Sequence, residues 1–213
     1  MLTLGFFFLL WPGECAATSN PNASPFRLCD VHILRHQLHL DAMHCPEEDF
    51  LSITHVALEF TTQKNGVRGE LVGLGRSGQP YLCPVHAAIA RLRHMRLRNA
   101  HTTNPLYHVF GPTPTTVTIT DLASHLHQTC SVLGSSIGIF PSNISVRSLR
   151  SSGAMALLCS DVDTDKIRLV GRWRSNEMLR YLHVQALPIV APLATLMVHP
   201  GFFSLLPSHP FRG

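Results

Sequence analysis

Arg147 and Arg150 lie three residues apart in VRSLRSSGAM, residues 146–155, so on a helix they share one face. Arg172 and Arg174 come just after Gly171, and Tyr181 stands nine residues beyond Arg172. Lys64 directly precedes an Asn65–Gly66 pair. Brought together, these residues offer fixed guanidinium cations, one ammonium and one phenol. Transesterification of a phosphodiester needs those groups. A phenolate attacks phosphorus, guanidinium groups hold the non-bridging oxygens as charge builds on them, and an ammonium protonates the departing oxygen. Each residue also has an ordinary reading: exposed arginines are usually solvated surface, and a helical tyrosine usually sits at the edge of a core.

Other chemistries have less behind them. His32, His36, His39 and His44 crowd near Cys45, but the stretch reads as strand and loop, and no second ligand cluster accompanies it. No metal site is expected there. The chain has no G-x-S-x-G, and Ser148, Ser151 and Ser152, beside Arg147 and Arg150, suit capping or lining roles rather than attack. The six cysteines, Cys15, Cys29, Cys45, Cys83, Cys130 and Cys159, form no C-x-x-C pair. Their even count permits disulfides in a secreted chain without demanding them.

The 213 residues suffice for one domain with a sizeable core, and 45% apolar content argues against disorder throughout. Lys and Arg total 17 against 13 Asp and Glu, a formal charge of +4, and only Lys64 and Lys166 are lysines. The arginine bias matters because a guanidinium fork suits phosphate and stays charged when buried. The net charge is a weak pointer toward an anionic partner. The first residues, MLTLGFFFLLWPGECAATS, hold an apolar run followed by small residues at Cys15, Ala16 and Ala17. A secretory signal places a positive residue before its apolar core, whereas the first basic residue here is Arg27. The run therefore reads as a buried helix. The N-x-S tripeptides at Asn22 and Asn143 are of a kind that arises by chance. No stretch reaches the ~18 uninterrupted apolar residues of a membrane span, so no membrane partner is expected.

The elements that would position these side chains follow from periodicity. Residues 2–10 predict a short buried helix, broken by Pro12–Gly13. Residues 16–26 read as loop, and 27–40 as strand or hairpin. In 53–75, Val56, Leu58 and Phe60 alternate with polar neighbours, and Asn65–Gly66 marks a two-residue turn before a second strand, which puts Lys64 at the hairpin tip. Residues 84–98 predict a helix with Pro84 in its first turn and arginines toward its C-terminus. Residues 111–118 read as linker, and Thr120 or Asp121 should cap a helix running to about Leu133. After a loop over 134–143, residues 146–159 form a helix whose small residues let another helix approach. Asp163 or Thr164 then caps a short helix ended by Gly171, and 176–187 is a helical run carrying Tyr181. The tail, 188–213, is rich in Pro, Phe and Leu. Mostly helix with one small early antiparallel sheet is an α+β arrangement, not alternating βαβ.

The wording of three segments sharpens the chemical reading. ISVRSLRSSGAMALLCSDVDTDKIRLVGRWRSNEMLRYLH, residues 144–183, resembles the C-terminal motif region of tyrosine recombinases of phage-integrase type. It is most similar to the eukaryotic mobile-element branch, where H-S-L-R-x-G-G-A is followed by L-G-R-W and then R-Y. TTQKNGVRGE, residues 61–70, resembles the hairpin of that branch, and FFFLLWPGEC, residues 6–15, resembles its first motif, which would read L-R-P-G-E. The resemblance runs from about residue 5 to residue 205 and implies one mainly helical catalytic domain over 1–205, with 206–213 as a tail. By this resemblance Tyr181 matches the nucleophile, Arg150 the arginine that binds the scissile phosphate, and Lys64 the general acid. Arg147 takes the second-motif position usually held by His. Arg172 falls where the family has His or Trp, with Trp173 next to it. Glu14 matches the acidic supporter of the first-motif arginine, and Trp11 stands where that arginine belongs. Arg68, near the hairpin tip, and Arg174 are further expected DNA contacts.

The resemblance implies double-stranded DNA as partner, with affinity that falls steeply with salt. It implies recombination or integration through a 3′-phosphotyrosyl intermediate, without metal or nucleotide cofactor, by multimers acting on DNA inside the cell, in the nucleus or wherever that DNA lies. The departures modify this. Indole supplies one N–H and no charge, so cleavage is expected to be slow, by ~10²–10³ or more, with DNA binding retained. Glu14 is expected to lose its cation and leave a carboxylate near the phosphate. Arg147 keeps a charge but gives up a group that titrates near neutrality. Family members carry a helical DNA-clamping domain ahead of the catalytic one, and Met1 lies only ten residues before Trp11. The expectation is thus a domain lacking that partner. Two rivals remain: a non-catalytic DNA-binding remnant, and a small secreted protein held by disulfides, which leaves 144–183 unexplained.

Overall fold

The apolar N-terminus folds as two short helices, α1 (Leu2–Phe7) and α2 (Pro12–Cys15). The computed structural model describes residues 1–19, 25–61, 69–113 and 115–181. Pro12–Gly13 is not the turn that ends the first helix, which corrects the sequence reading. Pro12 opens α2, because a proline in the first helical turn forfeits no needed N–H and presets φ. The chain bends earlier, at Phe8–Leu10, with Leu9 in the left-handed region at φ 50°. Trp11 is the N-cap of α2, and its backbone N–H donates to Glu14 Oε2 at 2.7 Å.

The sheet follows the predicted alternation. Strands β1 (Val31–Arg35) and β2 (Leu38–Leu40) form a hairpin, and a short helix α3 (Asp49–Ser52) leads into β3 (His55–Phe60), which pairs with β4 (Glu70–Gly75). The order is β2-β1-β3-β4, antiparallel throughout, with Ile33 opposite Val56 and Leu58 opposite Val72. This register puts Val31, Ile33, Val56, Leu58 and Phe60 into the core. The predicted hairpin tip, with Lys64 and Arg68, lies outside the described residues.

Helix α4 (Pro84–Leu97) covers that face with Val85, Ala88, Ile89, Leu92 and Met95, spaced as one helical stripe. Strands β5 (His108–Val109) and β6 (Thr115–Thr116) make a two-residue ladder, β6 falling within the 111–118 stretch that reads as linker. Helix α5 (Ile119–Leu133) starts one residue before Thr120, so the expected cap moves to Thr118. Its hydroxyl oxygen accepts the Asp121 N–H at 3.2 Å, and the Asp121 carboxylate accepts the Thr118 N–H at 2.8 Å. This reciprocal box satisfies two donors, whereas Thr120 or Asp121 as cap would satisfy one. Helices α6 (Arg147–Leu158) and α7 (Thr164–Val170) fall where predicted, α7 capped by Asp163 and followed by Gly171. A 3₁₀ segment over Asn176–Tyr181 takes the first part of the expected 176–187 helix; the remainder and the tail lie outside the described residues.

The fold is therefore a mixed α/β arrangement, with seven α-helices and a small antiparallel sheet among the described residues. One large apolar cluster joins α1, the sheet and α4, and a smaller one gathers Leu9, Ala154, Ile167, Trp173 and Met178 beneath α6 and α7. Among the described residues, no helix is long and apolar enough to cross a membrane. All six cysteines are free thiols, and Cys15, Cys45, Cys83 and Cys130 are core residues.

The close seat of α1 on α6 depends on Gly153. A Cβ there would lie 2.3 Å from the Phe6 carbonyl oxygen and 2.5 Å from Leu9 Cδ2. Gly153→Ala is expected to lower unfolding free energy in urea by about 1–3 kcal/mol, while Ser152→Ala on the exposed face changes it by no more than about 0.5 kcal/mol. A thiol titration separates this fold from a disulfide-held one. Denatured, unreduced protein should yield all six thiols, and folded protein should react fastest at the exposed Cys29. Cys15 should stay inert when folded, because burial pushes its thiol up to about 12.

Candidate functional site

Arg150 enters the protein from the first turn of α6 and is 2% exposed. Its Nη1 donates to the Leu9 carbonyl and its Nη2 to the Gly171 carbonyl. The guanidinium lies between two indoles, 4.5 Å from the ring centre of Trp11 and 4.0 Å from that of Trp173. Planar, weakly hydrated guanidinium is suited to such a slot, where ring faces replace water. The expectation that Arg150 presents its fork to a bound phosphate meets a different arrangement: the fork is turned inward onto backbone oxygens.

Arg172 sits beside it. Gly171 ends α7, Arg172 follows in the left-handed region at φ 59°, and that backbone turn aims its side chain inward. Nη1 donates to the Phe8 carbonyl at 3.1 Å and to Val170 at 3.2 Å, and Nη2 donates to Glu14 Oε2 at 2.9 Å. Its guanidinium carbon stands 3.6 Å from the centre of the Phe60 ring. This corrects the expected fate of Glu14. The carboxylate has not lost its cation; Arg172, 158 residues away in sequence, supplies it. Arg172 itself bonds inward, to Glu14 and to the ends of two helices.

Electrostatics follow from burial. Desolvation pushes the Glu14 carboxyl above the ordinary range, opposed by Arg172, the Trp11 N–H and Arg150. Desolvation likewise lowers Arg172, opposed chiefly by Glu14. The 2.9 Å contact and the Trp11 N–H favour the ionised pair, since breaking it would leave one buried charge alone.

The structure thus gathers Trp11, Glu14, Arg150, Arg172 and Trp173 into one buried cluster. Arg147 and Arg174 are exposed and stand apart from it. Tyr181 closes the 3₁₀ segment, and its side chain, with Lys64 and Arg68, lies outside the described residues. Leu9, Phe8 and Phe60 are participants that sequence reasoning did not single out. Leu9 carries no glycine or asparagine signal for its positive φ, and Phe60 reads only as a strand core residue. Among the described residues, no group of three or more His, Cys, Asp or Glu side chains converges as a metal site would require.

Removing either partner of the buried pair should be costly. Arg172→Met and Glu14→Gln are each expected to destabilise by about 3–5 kcal/mol. The double variant should lose less than the sum, with a coupling of about 1–3 kcal/mol in a denaturation cycle. Strict additivity would show that the two do not interact.

No protein-family model, curated protein or solved structure matches this chain.

Proposed function

We propose that this chain is a duplex-DNA-binding domain of tyrosine-recombinase type, of the mobile-element branch, whose reaction is transfer of a DNA strand to Tyr181. The observation that carries the reading is a convergence. Residues 6–15 and 144–183, two of the segments that carry the resemblance, meet in one buried cluster: the Leu9 carbonyl accepts from Arg150 across 141 positions, and Glu14 pairs with Arg172 across 158.

In the proposed reaction the Tyr181 phenol gives up its proton to solvent water and its oxygen attacks phosphorus. The bond from phosphorus to the 5′ oxygen breaks, Lys64 protonates that oxygen, and a 3′-phosphotyrosyl bond stores the energy for rejoining to another 5′ hydroxyl. Arg150 is the cation for the non-bridging oxygens, the exposed Arg147 and Arg174 bind the DNA backbone, and Arg68 is assigned the same partner by the resemblance alone. Two features slow this chemistry. Trp11 contributes no charge. Arg150 must also exchange two carbonyl acceptors for phosphate oxygens before it can act. The enclosure of Arg150 favours a second reading, a remnant that binds DNA without cutting it.

A nicked duplex that traps covalent adducts separates these readings. Duplex binding should weaken steeply between low and physiological salt. Adduct formation should be slow in the natural chain, rise at least ~10-fold in Trp11→Arg, and vanish in Tyr181→Phe. Binding with no adduct in either the natural chain or Trp11→Arg selects the remnant. Absence of duplex binding at low salt, or an adduct that survives Tyr181→Phe, overturns the proposal.

A further inference from the structure

At the Met1 end of α1, away from the guanidinium cluster, a cleft of about 540 Å³ opens between α4, the β5–β6 ladder and the start of α5. Its size falls in the range of small-molecule sites, and its walls combine apolar surface with a few convergent polar groups. Val117 and Leu122 form part of the apolar wall. Phe110 adds an aromatic face, edge-on to His108 at 4.7 Å between centres and tilted against His94 at 5.8 Å.

The polar lining is rich in nitrogen donors, beside the hydroxyls of Thr115 and Thr116. Arg91, His94, His108 and His125 all line the cleft, against a single carboxylate, Asp121. That carboxylate is committed to the Thr118 backbone and hydroxyl in the cap of α5. Arg91 spends Nε and Nη2 on the carbonyls of Leu106 and His108, which fixes the guanidinium and leaves Nη1 as a donor. Tyr107, another lining residue, is 2% exposed, and its hydroxyl has no hydrogen-bond partner among the described residues. Burial raises that phenol well above its usual value, so it remains an O–H donor. That hydroxyl is buried behind the cleft wall, so the donors that a ligand can reach are those of Arg91 and the histidines.

We propose that this cleft is a binding site for a small planar aromatic acid, its ring against Phe110, His94 and His108 and its carboxylate toward Arg91. The site does not depend on the DNA reading, because none of these residues belongs to the guanidinium cluster.

The test uses 2-naphthoate as probe, with 2-naphthalenemethanol and acetate as neutral and non-aromatic controls, on the full chain by calorimetry. Saturable binding of one naphthoate per chain is expected, with both controls at least tenfold weaker. Phe110→Ala should weaken naphthoate at least tenfold. Thr115→Trp, at the exposed lip, should do the same by filling the cleft, with its urea midpoint reporting that the fold is intact. If Thr115→Trp does not fold, NMR of the natural chain still decides: naphthoate should shift the ring resonances of His94 and His108 and leave those of His32 and His44 in place. Equal binding of the neutral control, no saturation at millimolar probe, or affinity unchanged in a folded Thr115→Trp overturns the site.

Discussion

Helices α1 and α7 both end inside the protein, and the carbonyl groups at those ends have to find donors. A helix leaves its last carbonyls without partners, and the negative end of its dipole favours a cation there. Two arginines meet this demand. Arg150 bridges the Leu9 and Gly171 oxygens, and Arg172 reaches Phe8 and Val170. The N-terminal segment is thereby tied to residues more than 140 positions later by charge-assisted bonds. Everything else in the cluster answers the consequences of that choice. Glu14 offsets the charge of Arg172, and Trp11, Trp173 and Phe60 give the two guanidiniums surfaces to lie on in place of water.

The arrangement concentrates strain as well as charge. Leu9 and Arg172 are both non-glycine residues at positive φ, and each provides a bond the cluster needs: Leu9 its carbonyl, Arg172 its inward side chain. Such conformations cost of order 1–3 kcal/mol and persist where the surroundings over-determine them. The cluster stays closed on its carbonyl acceptors provided the α1 and α7 ends hold their places.

That proviso bears on α1. At about 1.5 Å per residue its six residues span about 9 Å, with Met1 on the cleft and Phe8–Leu9 on the guanidiniums. It has little freedom to slide. Gly153 admits the Phe6 carbonyl to a distance no side chain would allow, and a Cβ on Gly5 would meet Cys15 Sγ and Leu149 Cδ1 at 3.1 Å. A rigid rod this short makes the cleft and the cluster two faces of one element. The larger apolar core fixes one side of it and the smaller core fixes Leu9 on the other.

Local rules explain what could be read from the chain and long-range geometry explains what could not. The β3–β4 hairpin, the stripe of α4 and the Asp163 cap rest on neighbours within a few residues, so alternation and capping types reveal them. The cap of α5 moved from Thr120 to Thr118 because a reciprocal box outranks a single acceptor, a local rule applied at the wrong residue. The pairing of Glu14 with Arg172 is different in kind. Motif resemblance assigns residues to positions, but which cation a carboxylate meets depends on how two helix ends are brought together. Trp11 carries no charge, yet Glu14 is not stranded: it pairs with Arg172, and the Trp11 indole covers Arg150. Trp11 thus forms one wall of the slot that holds the Arg150 guanidinium. A change at that position acts first on how tightly Arg150 is enclosed.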